Sequence, residues 1–195
     1  MLALEVNSCD STPHLNMSAV RIFLTGEPGC GKTTVIRGIS DILASRGVRV
    51  GGMISDEIRS GAGRVGFSLE DLLTHETGTL AHININDGPR VGRYRVNLPD
   101  LERLGATAIR RAISDADVVI ADELGPMELH SAPFIAAVEA ALQSPKPLLA
   151  TIHKRASHRL VTTIRSNPNY QVIQVAADNR DQLPSGIAEK LIAQA

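Results

Sequence analysis

The stretch Arg21-Ile22-Phe23-Leu24-Thr25-Gly26-Glu27-Pro28-Gly29-Cys30-Gly31-Lys32-Thr33-Thr34 decides the fold of this chain. An apolar run at residues 20–25 predicts the short buried strand that enters it. Residues 33–45 carry their apolar side chains on one helical face, and Gly47 is a suitable stop, so an amphipathic helix is predicted to leave it. A strand, a glycine-rich turn and a helix therefore follow one another directly.

The central part of this stretch, residues 26–33, has the spacing G-x-x-x-x-G-K-T. The glycines let the backbone curl so that several N–H groups face one anion, and the following helix adds the positive end of its dipole. Lys32 places a point charge between the β- and γ-phosphates of a nucleotide, which predicts a catalytic role, and the Thr33 hydroxyl suits Mg²⁺. The three variable positions that are not glycine are expected to serve loop shape. The predicted nucleotide-binding residues of the loop are Gly26, Glu27, Pro28, Gly29, Cys30, Gly31, Lys32, Thr33 and Thr34.

Two neighbouring acids, Asp122 and Glu123, end a second apolar run at residues 118–121. Ligands of open α/β sheets bind at the carboxyl ends of the strands, which predicts that these acids lie beside the nucleotide. Asp122 is predicted to hold Mg²⁺ in its outer shell, through water. Glu123 is predicted to orient or deprotonate the attacking water, pointing away from Asp122 if the strand geometry persists. The alternative is a pair of helix-capping or solvated acids.

Beyond these two motifs the chain alternates between predicted strands and helices, which indicates a three-layer α/β fold with a mostly parallel sheet. Residues 56–95 break this pattern. Ser60-Gly61-Ala62-Gly63 is a turn signal between two extended pieces, so a β-hairpin insertion is expected at a sheet edge. Residues 1–18 are polar and predict a flexible amino-terminal extension before a single domain at residues 19–195. The other strands are predicted at residues 48–54, 117–121, 147–152 and 171–175, and the other helices after the cap Asn97 and at residues 131–142, 157–166 and 184–193.

The composition argues against several classes of function. A net charge of −1 gives no field that attracts nucleic acid, and 3% aromatic residues without tryptophan argue against stacking on single strands. The chain has only two cysteines, and one of them, Cys30, lies inside the glycine-rich loop, which favours a reducing environment. No apolar run is long enough to cross a bilayer, and no signal-peptide pattern is evident. We therefore expect a cytoplasmic monomer that binds nucleoside triphosphates, without a nucleic-acid or membrane partner.

Five further polar residues are candidates for contacts with the nucleotide. Arg59, Arg64 and Arg93 lie in the insertion, and any of them could reach over the phosphates as an internal arginine finger, although each also suits a solvated sheet edge. His153 follows a strand end, where it could sense the γ-phosphate or stand in an ordinary exposed loop. Asn179 follows the last predicted strand, either beside the base or as a cap for the final helix.

Several runs resemble those of the small P-loop nucleoside-triphosphatases first described from thermophiles, also called the cancer-related nucleoside-triphosphatase family. The most specific are the glycine-rich loop and Asp122-Glu123-Leu124-Gly125-Pro126-Met127-Glu128-Leu129, and Thr151-Ile152-His153 and Asn179-Arg180-Asp181 follow in the expected order. The resemblance implies a Mg²⁺-dependent hydrolase that cleaves ATP, GTP and other nucleoside triphosphates to diphosphates and phosphate, slowly and with broad base preference. It also implies that Gly125 and Met127 flank the nucleotide. Its sheet is RecA-like, with the acidic strand next to the neighbour of the loop strand.

Two alternatives stay open at this point. A small-molecule or nucleotide kinase would use the insertion at residues 56–95 to hold an acceptor. Kinases of this build usually carry an arginine-rich lid late in the chain, where this sequence shows no such run beyond Lys154, Arg155 and Arg159. A slow nucleotide-dependent switch would bind a partner and turn over little.

Overall fold

The computed structural model of the protein describes residues 19–61 and 63–195, so the extension predicted at residues 1–18 lies outside the described residues. The strands in these ranges are β1 (Arg21–Gly26), β2 (Val50–Ser60), β3 (Gly63–Asp71), β4 (Thr77–His82), β5 (Arg90–Val91), β6 (Tyr94–Val96), β7 (Val118–Leu124), β8 (Leu148–His153) and β9 (Gln171–Gln174). The helices are α1 (Lys32–Ser45), α2 (Leu98–Asp100), α3 (Thr107–Asp115), α4 (Ala132–Gln143), α5 (Arg159–Ser166) and α6 (Leu183–Ile192). A π-helical segment, Leu101–Ala106, joins α2 to α3, and a short 3-10 turn spans Glu128–His130.

All of these strands belong to one sheet with the order β5-β6-β4-β3-β2-β7-β8-β1-β9. The strands from β2 to β9 in this order pair in parallel, whereas β3, β4, β6 and β5 continue the sheet with antiparallel pairing. The acidic strand β7 is separated from the loop strand β1 by β8 alone. The predicted α/β fold and its RecA-like strand placement are therefore confirmed.

Successive side chains of a strand point to opposite faces, and both faces of the central parallel strands β7, β8 and β1 are buried, whereas the edge strand β9 is largely exposed. On β1, Phe23 packs in the core cluster that also contains residues of α3, α4 and α5. Its neighbours Ile22 and Leu24 pack in a second cluster with residues of α1 and α6. Helices thus cover the sheet on both sides, which produces the three predicted layers.

The hairpin expected within residues 56–95 is confirmed, and it is longer than the sequence suggests. The strand predicted at residues 48–54 and the first arm of the hairpin form one continuous strand, β2. Met53 is the last residue of β2 that pairs with β7, opposite Ala121, and from there β2 continues in its pairing with β3. The hairpin therefore extends beyond the carboxyl edge of the parallel strands. Asp71, which is fully buried, anchors its base through an ion pair with Arg111 of α3.

Asn97 begins the helical stretch after the insertion, as its position predicts. Its side chain accepts a hydrogen bond from the backbone N–H of Asp100 at 3.3 Å, and Leu101, Leu104 and Ile109 bury the apolar face. Among the helices of residues 19–61 and 63–195, none has the length and apolar character needed to cross a membrane.

Candidate active site

The site lies at the carboxyl edge of three adjacent parallel strands. Gly26, the last residue of β1, is level with His153, the last residue of β8, and Ala121 of β7 is level with Ala150 of β8. The glycine-rich loop, the loop after β8 and the acids of β7 therefore emerge side by side. This is the edge at which ligands of open α/β sheets bind.

The shape of the glycine-rich loop is set by close approaches and by backbone conformation. A Cβ atom at Gly26 would lie 2.6 Å from the carbonyl oxygen of Val175 and 2.7 Å from Cys30 Sγ, so a larger residue there would force the loop to shift. Gly31, at the start of α1, has a φ of 99°, which is the left-handed region that favours glycine. The loop thus delivers the chain into α1 with the free N–H groups of the first helical turn at this edge.

Asp122 is the most buried acid of the site, with 1% exposure. Thr33 Oγ1 donates a hydrogen bond to its Oδ2 at 2.7 Å, and Thr151 Oγ1 donates one to its Oδ1. Burial raises the pKa of Asp122 to about 6, although the hydrogen bonds from Thr151 and Thr33 favour the ionised form. A hydroxyl and a carboxylate that meet in this way provide hard oxygen atoms of the kind that Mg²⁺ prefers.

Glu123 stands next to Asp122 and faces the loop. Its Oε1 lies 3.2 Å from Lys32 Nζ, and the contact is an ion pair without an aligned hydrogen bond. The pairing of β7 with β8 shifts register between Ala121 and Leu124, so regular strand alternation does not hold at the two acids. The irregularity lets both carboxylates meet residues of the same loop, Asp122 through Thr33 and Glu123 through Lys32.

Glu128 is a part of the site to which the sequence reasoning assigned no role. It is 4% exposed, and the backbone N–H of Gly125 donates to its Oε2 at 3.2 Å. Burial, and next the charge of Glu123, raise the pKa of Glu128 to about 8. The residue lies in the run that carries the family resemblance, so its place in that run was the available signal. Gly125 adjoins both acids: a Cβ there would lie 3.0 Å from Glu128 Oε2 and 3.1 Å from Glu123 Oε2.

Met127 and Thr151 are placed by packing and by the strand order. Met127, predicted to flank the nucleotide, packs partly buried against the core cluster of α3 and α4. Thr151, to which no role was assigned either, is fully buried on β8 and donates to Asp122. Its signals in the sequence are its position near the end of a predicted strand and its place in the run Thr151-Ile152-His153 that carries the family resemblance.

The three arginines of the insertion have partners within the insertion itself. Arg59 and Arg64 both pair with Glu57, at 2.6 Å and 2.5 Å. Arg93 donates to the hydroxyl of Tyr94 at 3.2 Å and to the carbonyl oxygen of Arg64. The three arginines therefore cluster in the insertion, and none of the contacts described for them reaches residues 26–34.

His153 and Asn179 hold their own loops. His153 Nδ1 accepts a hydrogen bond from the N–H of Arg155 at 3.3 Å. Asn179 Oδ1 accepts one from the N–H of Ala176 at 2.9 Å, so it holds the turn after β9, whereas α6 begins after Gln182 without a side-chain cap. The neighbour of Asn179 comes closer to the glycine-rich loop, because Arg180 Cδ lies 3.4 Å from the Cβ position of Gly31.

The oxygen atoms of the site are few, which suits a metal ion that receives most of its ligands from a nucleotide and from water. Within the described residues, no group of three or more His, Cys, Asp or Glu side chains could hold a metal ion. Sites of this build generally use a divalent metal that few protein ligands bind, with phosphate oxygens and waters as the others. Thr33 and Asp122 provide such a small set.

A cavity of about 570 Å³ lies elsewhere, between α1 and the β2–β3 hairpin. Arg37, Asp41, Arg49, Glu70 and His75 are among the residues that line it. None of its lining residues belongs to residues 26–34 or 122–128. A phosphate group held by backbone N–H groups at a helix terminus does not need a deep pocket. The candidate active site is therefore assigned to the carboxyl edge of the strands and not to this cavity.

Comparison with known proteins gives one consistent family. The model of a family described as NTPase matches residues 21–188. The nucleoside-triphosphatase THEP1 of Thermofilum pendens is 47% identical over 176 residues, which cover 90% of this chain and 97% of that protein. The protein of the same name from Methanosarcina acetivorans is 45% identical over 174 residues, which cover 89% and 97%.

Two solved structures share the fold. The crystal structure of THEP1 from the hyperthermophile Aquifex aeolicus matches with a TM-score of 0.78 at 32% identity, covering 88% of this chain and 99% of that chain. The solution structure of a human cancer-related nucleoside triphosphatase matches with a TM-score of 0.76 at 35% identity, covering 91% and 100%.

Proposed function

We propose that this chain, which belongs to the nucleoside-triphosphatase family, hydrolyses nucleoside triphosphates to diphosphates and phosphate with water as the acceptor. The family resemblance noted from the sequence is thereby confirmed. The observation that carries the proposal is the contact between Lys32 and Glu123. It places a carboxylate that can act on water next to the ammonium group that binds the phosphates.

The glycine-rich loop binds the phosphates in this proposal. Its backbone N–H groups and the amino terminus of α1 face the β-phosphate, and Lys32 bridges the β- and γ-phosphates. Glu27, Pro28, Gly29 and Cys30 shape the loop, and Thr34 lies in the first turn of α1. Gly125 supports the site from the side of β7 because its N–H holds Glu128.

Mg²⁺ is the metal that the donor atoms favour. Thr33 would bind it through Oγ1, and Asp122 would hold it through a water molecule. When bound, the metal would neutralise charge on the oxygens of the β- and γ-phosphates. The hydrogen bond from Thr151 orients Asp122 for this task from the opposite side.

Glu123 acts on the attacking water. The phosphates compete with Glu123 for Lys32, and when Lys32 turns to them the carboxylate becomes free to accept a hydrogen bond from water. The water oxygen forms a bond to the γ-phosphorus, the bond to the bridging oxygen breaks, and the bridging oxygen leaves with its electron pair on the diphosphate. The proton of the water passes to Glu123.

Broad base preference, a cytoplasmic location, a monomeric state and the absence of a nucleic-acid partner stay predictions. The name of the relatives, nucleoside-triphosphatase, specifies no base, and this supports a broad preference. Asn179 uses its side chain to bond Ala176 and Gln174 of its own turn, so we assign it no hydrogen bond to the base.

A phosphate-release assay tests the function. Purified protein with Mg²⁺ is expected to release phosphate from ATP, GTP, CTP and UTP without an added acceptor. Lys32→Ala, which removes the charge that holds the phosphates, should lose both binding and release. Release that requires an added small molecule would replace hydrolysis by a kinase activity, and nucleotide binding without release would favour a switch.

A further inference from the structure

A second ion pair joins the glycine-rich loop to the loop after β8. Gly26 and His153 are level across the parallel pair of β1 and β8, and Glu27 and Lys154 are the next residues of their chains. Lys154 Nζ lies 2.5 Å from Glu27 Oε1. The cation Lys154, from the loop after β8, is therefore paired with Glu27, the first variable position of the phosphate-binding loop.

Hydrogen bonds hold the backbone around Lys154, whereas its side chain is exposed enough to change its ion-pair partner. Arg165 of α5 donates to the carbonyl oxygens of His153 at 3.0 Å, Lys154 at 2.8 Å and Ala156 at 3.1 Å. The side chains of Lys154 and Glu27 are 43% and 57% exposed. Water screens an ion pair of this kind, so the ammonium can exchange partners at little cost.

The surroundings of Glu27 show that this pair lies in the field of the phosphate site. The hydrogen bond from Lys154 lowers the pKa of the Glu27 carboxyl most, followed by the charge of Lys154 and by those of Arg155 and Lys32. Lys32 is the residue that binds the phosphates in the proposed function. Lys154 therefore lies beside the first residues of the phosphate-binding loop, within the influence of the same cations.

The arginines of the insertion are less suited to this position. Arg59 and Arg64 are both engaged by Glu57, and Arg93 is engaged by Tyr94 and the backbone of Arg64. Lys154 has its ion-pair partner within the phosphate-binding loop itself.

We propose that Lys154 is a catalytic residue that leaves Glu27 for the terminal phosphoryl group of a bound nucleoside triphosphate. The inference rests on the proposed function and names one more group of the same site. A terminal phosphoryl group carries more negative charge than a carboxylate, and that charge is spread over three oxygens during transfer. Lys154 keeps its proton throughout and stabilises those oxygens while the water oxygen bonds to phosphorus and the bridging oxygen departs with its electron pair.

Glu27 has a complementary part in this exchange. It holds the ammonium when no terminal phosphoryl group competes for it. A nucleoside diphosphate has no γ-phosphoryl group, so Lys154 stays with Glu27 when the product is bound. The pair thereby distinguishes the triphosphate from the diphosphate.

Turnover of Lys154→Ala tests the catalytic role. We expect kcat to fall by about tenfold or more, since cations that act on this transition state have large effects, while the affinity for ADP stays unchanged. Lys154→Arg, which keeps the charge, should recover part of the loss. Lys190→Ala is the matched control, because Lys190 pairs with Gln171 of β9, away from the loop. A kcat within about threefold of the wild type in Lys154→Ala and in a second variant, Lys154→Gln, would overturn the catalytic role.

A double-mutant cycle tests the exchange of partners. Glu27→Gln releases Lys154, so it should tighten binding of the non-hydrolysable analogue AMPPNP, and this gain should disappear in the Lys154→Ala background. An equal gain in both backgrounds would show that Glu27 only repels phosphate, and would overturn the exchange. Phosphate release by the wild type separates the two proposals. If the wild type releases none, hydrolysis itself fails. If the wild type is active and the Lys154 variants match it, only this inference fails.

Discussion

Lys32 Nζ lies 3.2 Å from Glu123 Oε1, so the cation of the glycine-rich loop and the second acid of β7 neutralise each other across the site. In the proposed mechanism the two groups have different tasks, since Lys32 binds phosphate and Glu123 acts on water. Their contact would couple these tasks, because phosphate that attracts Lys32 would also free Glu123.

Glu123→Gln should abolish most of the turnover while nucleotide still binds. The amide cannot accept the proton of the water, and a general base contributes about 10²–10⁴-fold to such a step. The dissociation constant for AMPPNP should stay equal or fall, because Lys32 loses the carboxylate that competes with the phosphates. Both quantities follow from phosphate release and isothermal titration. Glu139→Gln, at an exposed position of α4, is the matched control. Unchanged turnover in Glu123→Gln would remove Glu123 from its role.

Thr33→Val should raise the Mg²⁺ concentration needed for half-maximal turnover. The substitution preserves shape but removes the hydroxyl that meets Asp122 at 2.7 Å, and the loss of a ligand or its support costs about 10–100-fold in metal affinity. A magnesium titration of phosphate release measures the shift. Thr162→Val, on α5, should leave the titration unchanged, because the Thr162 hydroxyl donates to the carbonyl oxygen of Arg159 in its own helix. Coincident curves for Thr33→Val and the wild type would argue against a metal at Thr33.

Gly26→Ala should disable nucleotide binding. The added methyl group would meet the Val175 carbonyl oxygen at 2.6 Å and Cys30 Sγ at 2.7 Å, so the loop must shift. Gly186→Ala is the matched control, since nothing lies within 4 Å of its Cβ position on α6. Alanine is the better helix former by about 1 kcal/mol, so this control should bind normally and unfold at a slightly higher temperature. Normal affinity for ATP in Gly26→Ala would show that the loop tolerates a side chain there.

Glu128→Gln should change the dependence of stability on pH. The pKa of Glu128 is raised from 4.5 to about 8 by burial and by the charge of Glu123. Between these values the folded protein keeps a proton that the unfolded chain releases. Stability from this group is therefore full below pH 4.5 and is lost as pH rises toward 8, by at most about 1.4 kcal/mol per pH unit.

The variant cannot titrate at this position, so its free energy of unfolding relative to the wild type should rise steadily from pH 5 to pH 8. Urea unfolding of both proteins across this range gives the difference. Glu139→Gln, at an exposed position, should show none of this trend. A difference that does not vary with pH would mean that Glu128 is ionised in the folded protein.

The parts of the site that could be predicted from the sequence are those that local chain geometry creates. The glycines, Lys32 and Thr33 of residues 26–33 lie between a strand and a helix whose periodicities are visible within a few residues. Asp122 and Glu123 stand out because they end an apolar strand. Asn97 was predicted as a cap from its own neighbours, and it accepts the expected hydrogen bond.

The roles that could not be chosen from the sequence depend on residues far along the chain. Arg59, Arg64 and Arg93 each suited two interpretations, and their partners Glu57 and Tyr94 appear only once β2, β3 and β6 pair. The sequence assigns no role to Glu128, because its burial and its contact with Gly125 depend on how the chain turns after β7. The expectation that Asp122 and Glu123 point in opposite directions depended on a regular strand. The pairing of β7 with β8 shifts register there, and such a shift between two strands leaves no local signal in the sequence.

By itself, the sequence determined that a phosphate-binding loop follows a buried strand and that two acids end another, because strand and helix periodicity and glycine conformations act over short stretches of chain. Only the tertiary structure decided which residues meet. β8 follows β7 in the chain but lies between β7 and β1 in the sheet. That placement brings Thr151 to Asp122 and Lys154 to Glu27. The family resemblance implied this strand order, but the contacts that it creates join residues far apart in the chain, and no local pattern of residues encodes them.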